Sequence, residues 1–530
     1  MNYALPKHSI VLFTWHSKKN IELLKPFVDY LMRTNKLQCH IITSDATGKL
    51  TLLNSNNNVY TINELLLAYE GKDLKSSLIN PVNVDHPLDL HLDWLYTPKD
   101  PVLLQHPERK TTQDYYNWKR QQLVSAYHGF LRDLGPDSVV TWNGSLLVTG
   151  ALADAADMLG VQSFYMERGL LPGSLVIDPD GVNNQSSIAG ADWQKNATPK
   201  PDKREVEALK FYCLELGKSD ASIVKTGEKK SSDAVISQLG LSPEKPVVLL
   251  PLQIESDSNI RNNSPYFKSM IELVRSVTSV LEDTGAQLIV KPHPEDRSRR
   301  EEIEALCGDS DVRCCWELSL QSLLPVTDLV VVINSTVGLE ALLQNKPVVA
   351  LGRSIYDRKG FTMDLLNEAD LCDLINRALN ALWQPHEDPN FWWFLKTLIH
   401  HHTFFYDDQP GLADIKPKLS EMLVGSETEA KSTAKNASKA AAHLKTTNES
   451  LAELMRGEFT GKVLVIGPLD TVMDNIPDQI AVLNRSSRPR TFLKALIHRY
   501  DLMICMEWPS NPLLRAFLSL LRAKQKIVLG

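Results

Sequence analysis

The sequence predicts an α/β protein built from two doubly wound parallel units and a partial third. Three observations predict it. Short apolar runs rich in β-branched residues alternate with segments of helical spacing along most of the chain, the signature of parallel sheets. Four of these runs end in polar residues, and ligands of open parallel sheets sit beyond the carboxyl ends of the strands. At 530 residues the chain is also too long for a single core.

In chain order, residues 9–15 (SIVLFTW) and 38–43 (QCHIIT) read as strands with a helical segment between them. Residues 54–115 are polar and irregular, and their pattern assigns them no role; a long insertion near a cleft is one option. A helix over 115–134 leads to a strand at 138–142 (SVVTW), a helix over 146–160 and a strand at 161–166 (VQSFYM) that runs into Glu167, Arg168 and Gly169. Residues 171–183 (LPGSLVIDPDGVN) are turn-rich. Residues 190–203 are polar, carry two prolines and read as an interdomain linker.

The second unit opens after a helix over 205–216, with strands at 247–254 (VVLLPLQI), 287–290 (QLIV), weakly near Val312, then 329–333 and 347–351 (PVVAL). The run DLVVVINSTVG, residues 328–338, is its centre. A continuous β-branched run is a strand buried on both faces. Ser335 or Thr336 can cap the helix that follows, whose first backbone N–H groups suit a phosphate. Helices continue to about Val424, and residues 425–449 are rich in Ala and Lys and poor in bulky apolar groups. From 462 (KVLVIG) a third pattern of three strands begins, with DLMICME and KIVLG as its later strands and a basic amphipathic helix over 511–526. The expected division is 1–195, 196–375, closing helices over 376–424, a linker of helical propensity over 425–460, and a partial α/β unit of another domain over 461–530.

Composition narrows the class. A hydrophobic content of 43% and charge of 23% are those of a globular protein, and a net charge of -7 gives no reason to expect nucleic acid. The seven cysteines are scattered, odd in number and without CxxC spacing, which argues against disulfides and zinc and for a reducing compartment. The N-terminal stretch lacks a signal-peptide pattern and no run reaches the length of a membrane span. The expectation is a cytoplasmic protein, with the helix over 511–526 leaving room for peripheral contact with an anionic inner membrane.

The strand ends of the second unit carry residues 253–259, 291–295, 334–336 and 352–362. Singly, each is bland: Asp257 suits a helix cap, His293 a loop, Tyr356 packing, Glu340 a solvated helix face, and Glu167 a salt bridge with Arg168. Together on one rim they make a binding crevice. Two α/β units of similar size, joined by a linker and closed by helices, suggest two sheets facing a cleft, the GT-B arrangement of glycosyltransferases. The second unit would then hold a nucleotide donor and the first an acceptor. A helix N-terminus at Ser335 and Thr336, with a donor at His293, can neutralise a leaving phosphate without metal. No metal site stands out, and the adjacent His400, His401 and His402 read as structural, since neighbours on a helix point to different faces.

The motifs in order are WNG (142–144), ERG (167–169) with DPDGVN (178–183), PLQIESDSNI (251–260), KPHPE (291–295), NSTVGLEAL (334–342) and LGRSIYDRKGFT (351–362). This set resembles the bacterial β-Kdo transferases of capsule and O-antigen (lipopolysaccharide) assembly, across residues of about 8–410. The resemblance implies a GT-B fold, CMP-Kdo as donor and a retaining reaction without metal or other cofactor. It implies Asp257 as nucleophile, Glu167 as general base and His293 as donor to the phosphate or the Kdo carboxylate. Gln253, Lys291, Asn334, Ser335, Thr336, Glu340 and Tyr356 would then bind the donor, with Glu340 reaching the ribose and Lys291 or Arg261 the sugar carboxylate. The expected partners are the CMP-sugar, a lipid-linked or polysaccharide acceptor, and other glycosyltransferase domains. A CMP-sialic acid transferase, a sugar-nucleotide epimerase of the same architecture and a non-catalytic module of a polysaccharide assembly complex are the alternatives.

Overall fold

Parallel pairing dominates the sheets of the computed structural model, which describes residues 9–14, 24–25, 27–29, 38–44, 46–53, 58–69, 112–218, 227–296, 299–307, 311–381, 383–405, 463–466, 480–483, 500–505 and 523–528. The chain divides into two units, Met1–Phe164 with Ser420–Gly530, and Tyr165–Leu419. The expected linker at 425–460 lies outside the described residues.

In the first unit, β1 (Ser9–Thr14), β2 (Gln38–Thr43), β3 (Val59–Thr61) and β4 (Ser138–Trp142) pair in the order β4-β1-β2-β3, all parallel. The crossover helices α1 (Ala46–Leu53), α2 (Ile62–Ala68), α3 (Thr112–Leu134) and α4 (Leu147–Asp157) accompany them. Val11, Phe13, Ile42, Val139, Leu123, Tyr127 and Leu152 share one core cluster. The stretch expected to be irregular over 54–115 therefore begins with a strand and a helix. Its Glu64 is buried rather than solvated, paired with a lysine that precedes the stretch. Lys49, fully buried, donates to Glu64 Oε1 at 2.5 Å, and Glu64 Oε2 accepts from the backbone N of Thr61 at 2.8 Å to complete a capping box. Burial pushes the Lys49 ammonium below its ordinary range, opposed by Glu64.

The C-terminal sheet has four parallel strands, β14 (Val463–Ile466), β15 (Ile480–Leu483), β16 (Tyr500–Cys505) and β17 (Ala523–Val528), in the order β15-β14-β16-β17. That is one strand more than expected. β17 starts at Ala523, so residues 523–526 of the helix expected over 511–526 are strand, and residues 511–522 lie outside the described residues.

The second unit starts at Tyr165, well before the boundary expected at 195/196. β5 (Gln162–Arg168), inside which the division falls, pairs antiparallel with β6 (Ser174–Asp178), and β6 with β13 (Thr403–Phe405). The segment expected to be turn-rich over 171–183 thus holds a strand, and the closing helices deliver another. The polar segment 190–203 is packed rather than a free linker, for Trp193 is 1% exposed and Thr198 Oγ1 lies 2.9 Å from Thr397 Oγ1. Asp178, buried at the end of β6, accepts from Ser186 Oγ at 2.6 Å and pairs with His402 Nδ1 at 2.8 Å. Burial raises its carboxyl, but His402 and the surrounding donors outweigh that and hold it below the usual range. His402 is accordingly a packing partner of that loop.

The main sheet of this unit carries β7 (Val247–Pro251), β8 (Gln287–Lys291), β9 (Val312–Cys314), β10 (Leu329–Val332), β11 (Val348–Ala350) and β12 (Met363–Asp364) in the order β12-β11-β10-β7-β8-β9, all parallel. Strand side chains alternate between faces. Val248, Leu250, Leu288, Val290 and Val331 enter one core cluster, whereas Leu249, Ile289, Val330, Val332 and Val348 enter another. Helices cover both, among them α8 (Met270–Glu282), α11 (Thr336–Leu343) and α13 (Pro389–Thr397). Burial on both faces is why these strands read as unbroken apolar runs. The α/β class and the Rossmann-type sheet order expected from sequence are present. Among the described residues no helix is long and apolar enough to cross a membrane.

Candidate functional site

Strand order reverses between β7 and β10, so their carboxyl ends flank the switch point where doubly wound sheets take ligands. Two amides bridge it. Gln253 Nε2 donates to Asn334 Oδ1 at 3.0 Å, and the backbone N of Asn334 donates to Gln253 Oε1 at 3.3 Å. Asn334 Nδ2 donates in turn to the backbone O of Asn259, at 2.9 Å, in the short helix α7 (Ser258–Asn263). This ties the ends of β7 and β10 to α7.

Asp257 caps α7: its Oδ1 accepts from Asn259 N at 2.7 Å. The bland reading of this residue is therefore realised, and any chemistry must coexist with it. His293, beyond β8, accepts at Nδ1 from the backbone N of Glu295 at 3.3 Å. That bond assigns the neutral ring its proton on Nε2, leaving Nε2–H as the donor. Burial lowers the His293 pKa, and the carboxylates of Glu295, Asp257 and Asp296 oppose the drop. Asp257 and His293 thus feel each other on the same rim.

Ser335 is the N-cap of α11, its Oγ accepting from Val337 N at 3.2 Å, and Thr336 is the first residue of the helix. Tyr356, expected to touch the donor, does not face it: the side chain is 1% exposed and its hydroxyl donates to Ser335 O at 2.6 Å. A Cβ at Gly338 would overlap that hydroxyl, so glycine is what lets the ring brace the turn. Lys291, expected to reach the ligand, is 6% exposed and donates to Trp316 O at 2.6 Å. Burial lowers its pKa. It ties β8 to the segment after β9.

Glu340 is half-buried on α11, and burial alone pushes its carboxyl up to about 7. Among the described residues no neighbouring cation opposes the shift. The raised acid stabilises the fold only while protonated, so stability falls as pH rises from the ordinary carboxylate range through about 7. Glu340→Gln should gain about 2 kcal/mol over the parent at pH 8 and nothing below about pH 4. Thermal melts of both proteins at the two pH values check this.

Glu167, on β5, accepts from Asn183 Nδ2 at 3.4 Å and sits opposite Val176 of β6. It belongs to the same unit as the rim. Sequence reasoning missed Asn259 as the anchor of Asn334.

Residues 201–375 match the family model described as capsule polysaccharide biosynthesis protein. Protein FixF of Sinorhizobium fredii is 28% identical over 297 residues, covering 56% of this chain and 63% of FixF. The capsule polysaccharide export protein KpsS of Escherichia coli is 34% identical over 123 residues, 22% of this chain and 32% of KpsS. The chain thus spans less than two thirds of either relative. Among solved structures, the beta Kdo 2,7 transferase of Thermosulfurimonas dismutans KpsC aligns with a TM-score of 0.35 and 20% identity over 54% of this chain and 84% of that one.

Proposed function

We propose that this chain is a glycosyltransferase of capsule-type polysaccharide synthesis that moves Kdo from CMP-Kdo to a saccharide acceptor with retention. The observation that carries the reading is the switch-point rim, where a capped helix N-terminus, an imidazole donor and a carboxylate belong to neighbouring strand ends. The match of residues 201–375 to the capsule biosynthesis model supports a role in capsule synthesis.

In this reading the CMP phosphate lies on the backbone N–H groups and hydroxyls at Ser335 and Thr336, with His293 Nε2–H as a further donor. Asp257 attacks the anomeric carbon as the bond to the CMP oxygen breaks, and CMP leaves with the bonding pair. Glu167 takes the proton of the acceptor hydroxyl, which then displaces Asp257 and restores the original configuration. The acceptor is lipid-linked or a polysaccharide end, and the reaction belongs to the cytoplasmic face of the inner membrane.

The test is turnover with CMP-Kdo and a small acceptor panel, with CMP-sialic acid as the rival donor. The expected result is acceptor-dependent CMP release from CMP-Kdo alone. Without acceptor, the intact protein should gain the mass of one Kdo. Turnover with no trapped adduct would favour a single-step mechanism, and no CMP release at all would defeat the reading.

A further inference from the structure

Arg353 carries a guanidinium that the fold does not satisfy. Its backbone is pinned: Gly352 N donates to Ile333 O at 2.9 Å and Arg353 N to Asn263 O at 2.7 Å. A Cβ at Gly352 would stand 2.7 Å from the Ile333 side chain and 2.9 Å from Asn263 O. Glycine there lets the loop after β11 press against the end of β10 and the last residue of α7. Arg353 is thereby held on the rim that α7 and Asn334 share.

The guanidinium finds little at that place. Nη1 is shut off from solvent and has no hydrogen-bond acceptor among the described residues, while the side chain as a whole keeps 25% of its surface open to an incoming group. Its ion-pair partner, Asp357 Oδ2, is 3.6 Å away, beyond hydrogen-bond length, and already accepts from Arg358 Nε at 2.8 Å. A buried charged donor left without an acceptor costs more than the same bond gains when made. Such a group in a ligand crevice calls for an incoming anion.

We propose that Arg353 holds the sugar carboxylate of the bound donor and so selects an acidic sugar over a neutral one. The inference rests on the CMP-Kdo reading above. The phosphate already has the Ser335 and Thr336 turn and His293, whereas a planar carboxylate matches the guanidinium fork. Lys291, the cation expected there from sequence, is tied to Trp316.

Calorimetric titration of the Asp257→Asn protein as parent, alone and carrying Arg353→Gln or Arg353→Lys, with CMP and with CMP-Kdo tests this. Arg353→Gln should weaken CMP-Kdo about 10- to 100-fold and leave CMP within about twofold. Arg353→Lys should recover only part, since a point charge lacks the fork. Asp357 keeps Arg358, so neither variant should lower the thermal midpoint. Equal losses for CMP and CMP-Kdo would assign the guanidinium to the phosphate and overturn the proposal. Unchanged affinities would overturn it too, as would a lowered midpoint with both affinities restored in full by lysine. A parent protein that binds neither ligand would instead sink the donor reading and this assignment with it.

Discussion

Asp257→Asn should lose transfer from CMP-Kdo by roughly 10³-fold or more while keeping CMP affinity and the parent's thermal midpoint. Two roles meet at this carboxylate, and asparagine separates them. An amide oxygen caps a helix as well as a carboxylate does, so the bond from Asn259 N survives. An amide is not a nucleophile toward an anomeric carbon. Asp257→Ala removes both roles and should cost a further ~1 kcal/mol of stability through the lost cap. Assays of CMP release alongside melts of both variants decide the matter. Full activity in the asparagine variant would leave Asp257 as a cap and nothing more.

Glu64→Ala should destabilise the protein by about 3–5 kcal/mol, measured by denaturant unfolding. The change strands the Lys49 ammonium, which is fully buried with Glu64 Oε1 at 2.5 Å. It also removes the capping-box bond to Thr61 N. Lys49→Met should cost far less, because Glu64 would keep its bonds to the Thr61 backbone and hydroxyl. Equal losses in the two variants would contradict the asymmetry.

Why the sequence misled over 54–115 follows from the same pair. β3 is three residues long, too short for a periodic signal, and Lys49 and Glu64 look like surface charges until they are seen to face each other. β10 was legible for the opposite reason: burial on both faces by helices leaves an unbroken LVVV run, and Ser335 follows it as a cap. β6 was hidden among turn residues, and its partner β13 comes more than two hundred residues later. Local patterns carry no trace of so distant a pairing.

The site shows the same division. Asp257, His293, Asn334 and Ser335 could be named as candidates because polar residues at strand ends are countable along the chain. Tyr356 was misassigned because its contact is with a backbone carbonyl 21 positions away, and a buried tyrosine looks the same in sequence whether it meets a ligand or a neighbour. Lys291 failed likewise, its charge absorbed by a carbonyl beyond β9.

The reciprocal amide pair Gln253 and Asn334 has a consequence for how a donor arrives. Both side chains are immobilised when the chain folds, so their rotational freedom is not lost again on association. On the reading proposed above, the floor beneath an arriving nucleotide is rigid beforehand, set by two parallel strands whose onward connections turn to opposite sides of the switch point.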